Sequence, residues 1–354
     1  MEDYSRRMRA LGFSVLNYFN VTEFGGNIVD PAPPRRTASD AELWTDPNDF
    51  LHAELSGAIL RTPDPIWTWG GAVIMDCGDP AYRTFLLEQA QRHLEKLPSS
   101  AGICIDRMDW LVRYDPHADD GASWIDGPQR GLLHAWNDLL AILGPLMHRA
   151  GKVIFVNDMV RRLELMRHVD GFYDEHGMWA FNLNAGAFLA LRKPLVCWTP
   201  SEETLQPDPD AYLQRHLYLG AFPTVPFPGN DHTILPSPAA EAIYLDYGPL
   251  FAALRGRRWV LRPDVVSVAG GAARANVFET EAGCVVPVVL GGAATAARVT
   301  LHGLPGIAPG APPAAAVLHP GAGEETSLPG RWEGERLLLD VPLVRGAAVV
   351  RLRG

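Results

Sequence analysis

The sequence predicts an α/β fold: a (β/α) barrel of the TIM type over residues 1–255, followed by a small antiparallel β-sandwich over residues 256–354. Three observations predict it. Up to residue 255, short apolar runs alternate with helix-period stretches, which implies parallel strands joined by helices. Each of those runs ends in polar residues, as barrel strands do where they meet the loop-built face. Beyond residues 255–262 helix formers thin out and Gly, Pro, Val and Ala dominate, which is the composition of short strands and tight turns.

The first element is the amphipathic stretch Tyr4–Leu11, a helix. Strands follow at Phe13–Asn20 and Ala72–Asp76. Asp79 then caps a helix with Pro80 at its first position, running through Phe85, Leu86, Gln89 and His93 to Leu97. The strand Gly102–Asp106 precedes a helix from Gly131 to Ala150, and Lys152–Asn157 precedes one from Val160 to His168. Gly171–Glu175 leads to Asn184–Leu191, Pro194–Trp198 to Asp210–Leu217, and Tyr218–Val225 to Pro238–Leu254. Seven strand–helix units are therefore visible, whereas a closed barrel has eight. Because a helix comes first, the first strand is the missing piece, and the frame is expected to begin inside a larger protein's barrel. An unpaired barrel edge would otherwise expose a row of backbone donors and acceptors. The all-β region supplies strands at Trp259–Leu261, Ala275–Phe278, Cys284–Leu290, Ala297–Leu301, Arg336–Asp340 and Ala347–Leu352.

With 354 residues the chain is long enough for one large domain and a smaller one, and 47% hydrophobic with 20% charged residues is ordinary for a globular protein. A net charge of -10 excludes a nucleic-acid partner, which would need clustered Lys and Arg. No apolar stretch reaches the ~20 residues of a membrane helix, so no membrane partner is expected. The N-terminus, Met1–Arg7, lacks the apolar core of a signal peptide. The expected location is cytoplasmic as written, or secreted or periplasmic if the N-terminus is truncated. Cys77, Cys104, Cys197 and Cys284 form no CxxC pair and read as small apolar residues, three of them in strand-like runs. The sequence carries no signal for an oligomeric state.

In a parallel barrel the active site forms at the C-terminal strand ends. Those ends are rich in functional groups here: Asn20 and Glu23; Asp76; Asp106, Arg107 and Asp109; Asn157 and Asp158; Asp174, Glu175 and His176; Trp198 and Thr199; Asn230, Asp231 and His232. Asp79 and Asp158 instead read as helix caps. Asp106 stands apart, because it follows the buried run Ile103–Ile105 and no helix start comes next. Strand alternation puts it on the face of small Cys104, as a crowded barrel interior requires. An ion pair with Arg107 or Arg113 is the competing structural role. A second carboxylate comes from Asp174 or Glu175, which project to opposite faces; the longer reach of Glu175 favours it.

Two carboxylates across a barrel mouth are what glycosidic cleavage requires, one to attack and one to protonate the leaving oxygen. Ten Trp residues add the complementary signal, with Trp67, Trp69, Trp110, Trp124, Trp179 and Trp198 in or beside the strand–helix loops. Indole faces stack on sugar C–H surfaces, so the expected partner is an oligo- or polysaccharide. Asp76, Arg107, Asp109, Trp110, Asn157, Trp179, Trp198 and Asp231 are the candidate substrate-binding residues. No cofactor is expected. A metal-dependent hydrolase built on Asp106, His176, Asp231 and His232 is the alternative within enzymes, but neither HxH nor HExxH spacing occurs.

The runs Ile103–Trp110, Val15–Asn20 and Phe172–Glu175 resemble glycoside-hydrolase barrels, above all the α-galactosidase and α-glucosidase clan and its uncharacterised bacterial relatives. The resemblance covers nearly the whole chain and implies a (β/α)8 barrel followed by a β-sandwich. It further implies a nucleophilic Asp ending the fourth strand and an acid/base ending the sixth. With one strand missing, Asp106 ends the fourth and Asp174–Glu175 the sixth. Two departures stand: Ile105 precedes Asp106 where the clan carries Lys or Trp, and the clan's acid/base is commonly Asp, which favours Asp174 against the reach argument. The expectation is a bacterial retaining glycosidase acting on plant or microbial polysaccharide. A non-catalytic carbohydrate-binding barrel is the second class, and a structural remnant of a truncated gene the third.

Overall fold

A computed structural model describes residues 1–25, 55–157, 163–175, 180–226, 236–269, 271–310 and 314–353. The chain divides into two compact units, Met1–Phe172 and Tyr173–Gly354.

The first unit opens with helix α1 (Glu2–Ala10), which carries Glu2 and Asp3 in its first turn and Arg7 and Arg9 in its last, matching the helix dipole at both ends. Strand β1 (Leu16–Tyr18) follows. After the short strands β2 (Glu23–Phe24) and β3 (Val73–Ile74) comes helix α2 (Pro80–Lys96). Asp79 caps α2 as its sequence predicts, accepting from the N–H groups of Ala81 at 3.0 Å and Tyr82 at 3.1 Å. Strand β4 (Gly102–Ile105) pairs in parallel with β1 through Leu16↔Gly102 and Tyr18↔Cys104. On its other side it pairs with β8 (Val153–Asn157) through Gly102↔Val153 and Ile105↔Val156. Gly102 is required by that approach, since a Cβ there would lie 1.9 Å from the Val153 carbonyl oxygen.

Between β4 and β8 the chain makes a three-stranded antiparallel ribbon, β5 (Tyr114–Asp115), β6 (Ser123–Trp124) and β7 (Pro128–Gly131), and then helix α3 (Leu132–Arg149). Leu132, Trp136, Leu139, Leu143 and Met147 are buried at helical spacing along α3. A short helix α4 (Leu163–Met166) completes the unit.

One expected strand changes role. Val73–Ile74, the part of Ala72–Asp76 that forms a strand, runs antiparallel to Glu23–Phe24 and forms a separate two-stranded sheet. Met75 extends the pairing by donating its N–H to the Thr22 carbonyl at 2.9 Å. Six strands, not seven, therefore belong to the parallel sheet among the described residues, and no closed barrel is formed by them. Asp106 follows the second parallel strand of the first unit. The count that made it the end of a fourth strand no longer holds, although its place at a strand end does.

Strand β9 (Gly171–Asp174) spans the division between the units. The second unit continues with helix α5 (Ala180–Leu189), strand β10 (Leu195–Cys197), helices α6 (Glu202–Leu205) and α7 (Pro209–Leu219), strand β11 (Phe222–Pro223) and helix α8 (Pro238–Ala253). Strands β10 and β11 are parallel, with Val196↔Phe222 in register. Tyr218 and Leu219, expected in a strand, end α7 instead, because Gly220 at φ 71° terminates the helix beyond them.

From Arg258 on, every regular element among the described residues is a strand. These are β12 (Arg258–Trp259), β13 (Val266–Ala269), β14 (Arg274–Ala275), β15 (Phe278–Thr280), β16 (Gly283–Val289), β17 (Ala296–His302), β18 (Ala314–Leu318), β19 (Thr326–Ser327), β20 (Gly330–Glu333), β21 (Arg336–Pro342) and β22 (Ala348–Arg353). They form a seven-stranded sheet (β12-β15-β16-β22-β18-β19, with β14 on β16) and a four-stranded sheet (β13-β17-β21-β20). Val286, Val288, Val350 and Leu352 of the first sheet share one core with Val299, Leu301, Leu337 and Leu339 of the second, as in a β-sandwich. The alternate residues Val285, Val289 and Val349 join a second core with Leu213 and Leu217 of α7 and Tyr247 and Leu250 of α8. Burial on both faces explains why Cys284–Val289 is apolar without alternation.

Arg257, 1% exposed, fastens this unit by donating to the carbonyls of Gly220 at 2.6 Å, Leu191 at 2.6 Å and Lys193 at 3.1 Å. Gly220 must be glycine, since a Cβ there would meet the Arg257 Nε at 2.7 Å. Replacing Arg257 by Met takes the donor from one buried and two part-buried carbonyls and is expected to destabilise the second unit by about 3 kcal/mol. Urea unfolding checks this, and a loss under about 1 kcal/mol would show that water satisfies those carbonyls.

Candidate active site

The first unit assembles the site from three neighbouring strand ends. Tyr18 is the last residue of β1, Asn157 the last of β8, and Asp106 follows β4 between them. Parallel pairing therefore delivers all three side chains to one rim. The Tyr18 hydroxyl donates to Asp106 Oδ2 at 2.5 Å, and Asn157 Nδ2 donates to Oδ1 at 2.7 Å. Both carboxylate oxygens are thus oriented by neutral donors, which leaves the negative charge in place. Tyr18 is 57% exposed, yet its hydroxyl is held far above the usual tyrosine range, first by burial of its inner part and then by the Asp106 carboxylate it serves. Below the acid, the Cys104 thiol is pushed up to about 11 by burial and by the charge of Asp106.

The turn after Asp106 is held from a second carboxylate. Arg107 adopts a left-handed φ of 58° and opens a 3₁₀ turn, Met108–Val112. Its guanidinium pairs with Glu23 at 3.1 Å, and Glu23 is only 3% exposed. Glu23 Oε1 also accepts from Thr68 at 2.6 Å and from the Trp110 indole at 3.3 Å. Thr22 donates to the backbone carbonyls of Asp106 at 3.4 Å and Arg107 at 3.3 Å. The guanidinium groups of Arg107 and Arg113 lie 4.9 Å and 5.2 Å from the Trp110 ring centroid. The ion pair considered between Asp106 and Arg107 is replaced by this pair of Arg107 with Glu23. Glu23 is visible in the sequence as a strand-end acid, but no local signal ties it to Arg107. Tyr18 carries no signal beyond its place in an apolar run.

Asp76, expected to bind sugar hydroxyls, is 0% exposed. Its Oδ1 accepts from the Gly78 N–H at 2.8 Å and its Oδ2 pairs with Arg130 of β7 at 2.8 Å. It anchors the ribbon and offers no oxygen to a ligand. Burial pushes its carboxyl up to about 6; the Gly78 N–H and Arg130 pull the other way, and neighbouring Asp115 adds to the rise. The folded chain therefore binds a proton that the unfolded chain, near 3.8, has already released. The stability carried by this proton is present at low pH and lost as pH rises through about 6. Urea midpoints are expected to fall between pH 4 and 6, with Asp76→Asn flattening that slope. An unchanged slope in the variant would assign the effect elsewhere.

Asp174 is buried and Glu175 half-buried in the second unit, where the Trp198 backbone N–H donates to the Asp174 carbonyl at 3.0 Å. Trp179, His176, Asp231 and His232 lie outside the described residues, as does the side chain of Asp109. Among the described residues no group of three or more His, Cys, Asp or Glu could hold a metal ion. No described helix is long and apolar enough to cross a membrane.

No family model matches the chain, and no curated protein matches it. Solved structures do. A GH36 α-galactosidase from Geobacillus stearothermophilus, in complex with stachyose, has a TM-score of 0.53 at 12% identity, over 96% of this chain and 46% of that one. A cyclomaltodextrinase has a TM-score of 0.53 at 10% identity, over 99% of this chain and 62% of that one. The glycoside hydrolase domain of PelA from Pseudomonas aeruginosa has a TM-score of 0.40 at 18% identity, over 68% of this chain and 84% of that one. The chain spans less than two thirds of the galactosidase and of the cyclomaltodextrinase. What this chain shares with the galactosidase and the cyclomaltodextrinase is their fold, a mixed α/β region with antiparallel sheets.

Proposed function

We propose that this protein hydrolyses O-glycosidic bonds in an oligo- or polysaccharide, with retention of configuration and with Asp106 as nucleophile. The observation that carries the reading is the clamp on Asp106, whose two oxygens are held by Tyr18 and Asn157 at the ends of the two strands flanking its own. In the first step an Asp106 oxygen attacks the anomeric carbon while the glycosidic C–O bond breaks, and a carboxylic acid gives its proton to the leaving oxygen. Glu175 is assigned as that acid, with Asp174 as the alternative; its longer side chain and half-buried position, where Asp174 is buried, support the choice. In the second step the acid, now a carboxylate, takes a proton from water, and the water oxygen displaces Asp106. The carboxylate's charge stabilises the oxocarbenium-like transition state, and Arg107, already paired with Glu23, draws little of it away. Asn157, Arg107, Trp110 and Trp198, with Asp109, Trp179 and Asp231, are the residues assigned to sugar binding, and residues 256–354 form the accessory β domain.

The test is turnover of a panel of aryl glycosides, with the anomer of the first product followed by NMR. Retention of configuration is expected. Inversion would require Asp106 to activate water instead of attacking. Saccharide binding with no turnover on any member would leave a non-catalytic carbohydrate-binding protein.

A further inference from the structure

The ribbon that leaves the Asp106 turn carries exposed aromatic surface on a rigid support. Trp124 is 71% exposed on β6 and Ile125 beside it is 46% exposed. The support is fixed by several side-chain and backbone bonds. In the loop before β6, Asp120 accepts from the N–H groups of Ala122 at 2.9 Å, Ser123 at 2.6 Å and Gly131 at 2.8 Å. At the root, Arg130 reaches buried Asp76, and the Leu132 N–H donates to the Arg113 carbonyl at 3.0 Å. Functional contacts concentrate on loops carried by a rigid support, and this ribbon presents its indole together with the neighbouring Ile125.

Size and charge select the occupant. A protein partner needs roughly 800 Å² of surface on each side, whereas one Trp presents roughly 150–250 Å², the scale of one or two sugar rings. The ribbon is acidic, with Asp115, Asp119, Asp120 and Asp126 and no Lys or Arg between Tyr114 and Gln129, which disfavours anionic ligands. Its aromatic face is continuous in sequence with the turn that carries Asp106, Arg107 and Trp110.

We propose that Trp124 is a stacking platform for a neutral polysaccharide, binding sugar units beyond the one attacked at Asp106. The proposal rests on the glycosidase reading above and names the substrate class, a chain longer than one ring bears. Trp124 takes no part in bond cleavage.

The test is affinity gel electrophoresis of the parent, Trp124→Ala and Trp124→Phe in gels containing soluble starch, galactomannan, xyloglucan or dextran, with aryl monoglycoside turnover measured alongside. At least one polysaccharide is expected to retard the parent. The dissociation constant is expected to rise about tenfold in Trp124→Ala and under about threefold in Trp124→Phe, with aryl turnover unchanged. A parent that none of the four retards, or an Ala variant retarded equally, overturns the platform even if aryl glycosides are hydrolysed. Conversely, Trp124-dependent retardation in a protein inactive on every aryl glycoside keeps the platform and removes hydrolysis. Sedimentation completes the test: a parent that self-associates and an Ala variant that does not would make Trp124 a contact between copies, and the proposal would fall.

Discussion

Asp106→Asn is expected to lower turnover on the best aryl glycoside by about 10⁴-fold, or about 5.4 kcal/mol of transition-state stabilisation. The amide keeps the shape of the carboxylate, and its oxygen can still accept from Tyr18 or Asn157, so the fold should survive and the thermal midpoint move little. What disappears is the charge that attacks the anomeric carbon and balances the oxocarbenium-like transition state. Asp106→Gly sharpens the test. External azide fits the vacated space and attacks the anomeric carbon in place of the carboxylate, giving a glycosyl azide of opposite configuration to the substrate. Parent-like turnover in Asp106→Asn, or an azide product with unchanged configuration, would remove Asp106 as nucleophile.

The second large effect comes from a residue that does not perform the chemistry. Arg107→Ala removes the cation paired with Glu23, which is 3% exposed and whose Oε1 also accepts from Thr68 and Trp110. A carboxylate left buried without its cation costs about 3–5 kcal/mol in stability. Because Arg107 adopts a left-handed turn directly after Asp106, that loss also lets the clamp on the acid drift. A fall in kcat of at least about 10-fold is expected, with a thermal midpoint well below the parent's. The cycle with Glu23→Gln separates the causes. If the cost is an orphaned charge, the double variant regains part of the stability that Arg107→Ala loses. Additive losses, with no recovery, would mean that the pair contributes little and that packing on Trp110 carries the effect.

Much of the architecture was legible in the residues. Asp79–Pro80 marks a helix start that is observed, and helices expected from Asp210 and from Pro238 also appear, the first beginning one residue earlier at Pro209. Gly102–Ile105 and Val153–Asn157 appear where their apolar runs predicted them. The β-rich C-terminal region also appears, although Ala314–Leu318 was hidden by its alanines, whose β propensity is low.

Pairing was not legible. Val73–Ile74 has the composition of a central parallel strand, but a run of two or three apolar residues says nothing about its partner. Glu23–Phe24, about 50 residues away, claims it in an antiparallel pair.

The sequence by itself determined that an acid would sit at the end of a buried strand, because an apolar run closed by Asp106 can bury only its apolar part. It also determined the kinds of groups near that acid and the change from α/β to all-β. Only the tertiary structure decided what those groups do. Parallel register put Tyr18 and Asn157 on either side of Asp106, across separations of 88 and 51 residues. The antiparallel pair of β2 and β3 placed Glu23 against Arg107, and burial turned Asp76 from a candidate sugar ligand into a ribbon anchor. The physical reason is common to all three. Local sequence sets conformational preference and which face is apolar, whereas a polar side chain's role depends on what meets it across the chain and on how much water remains.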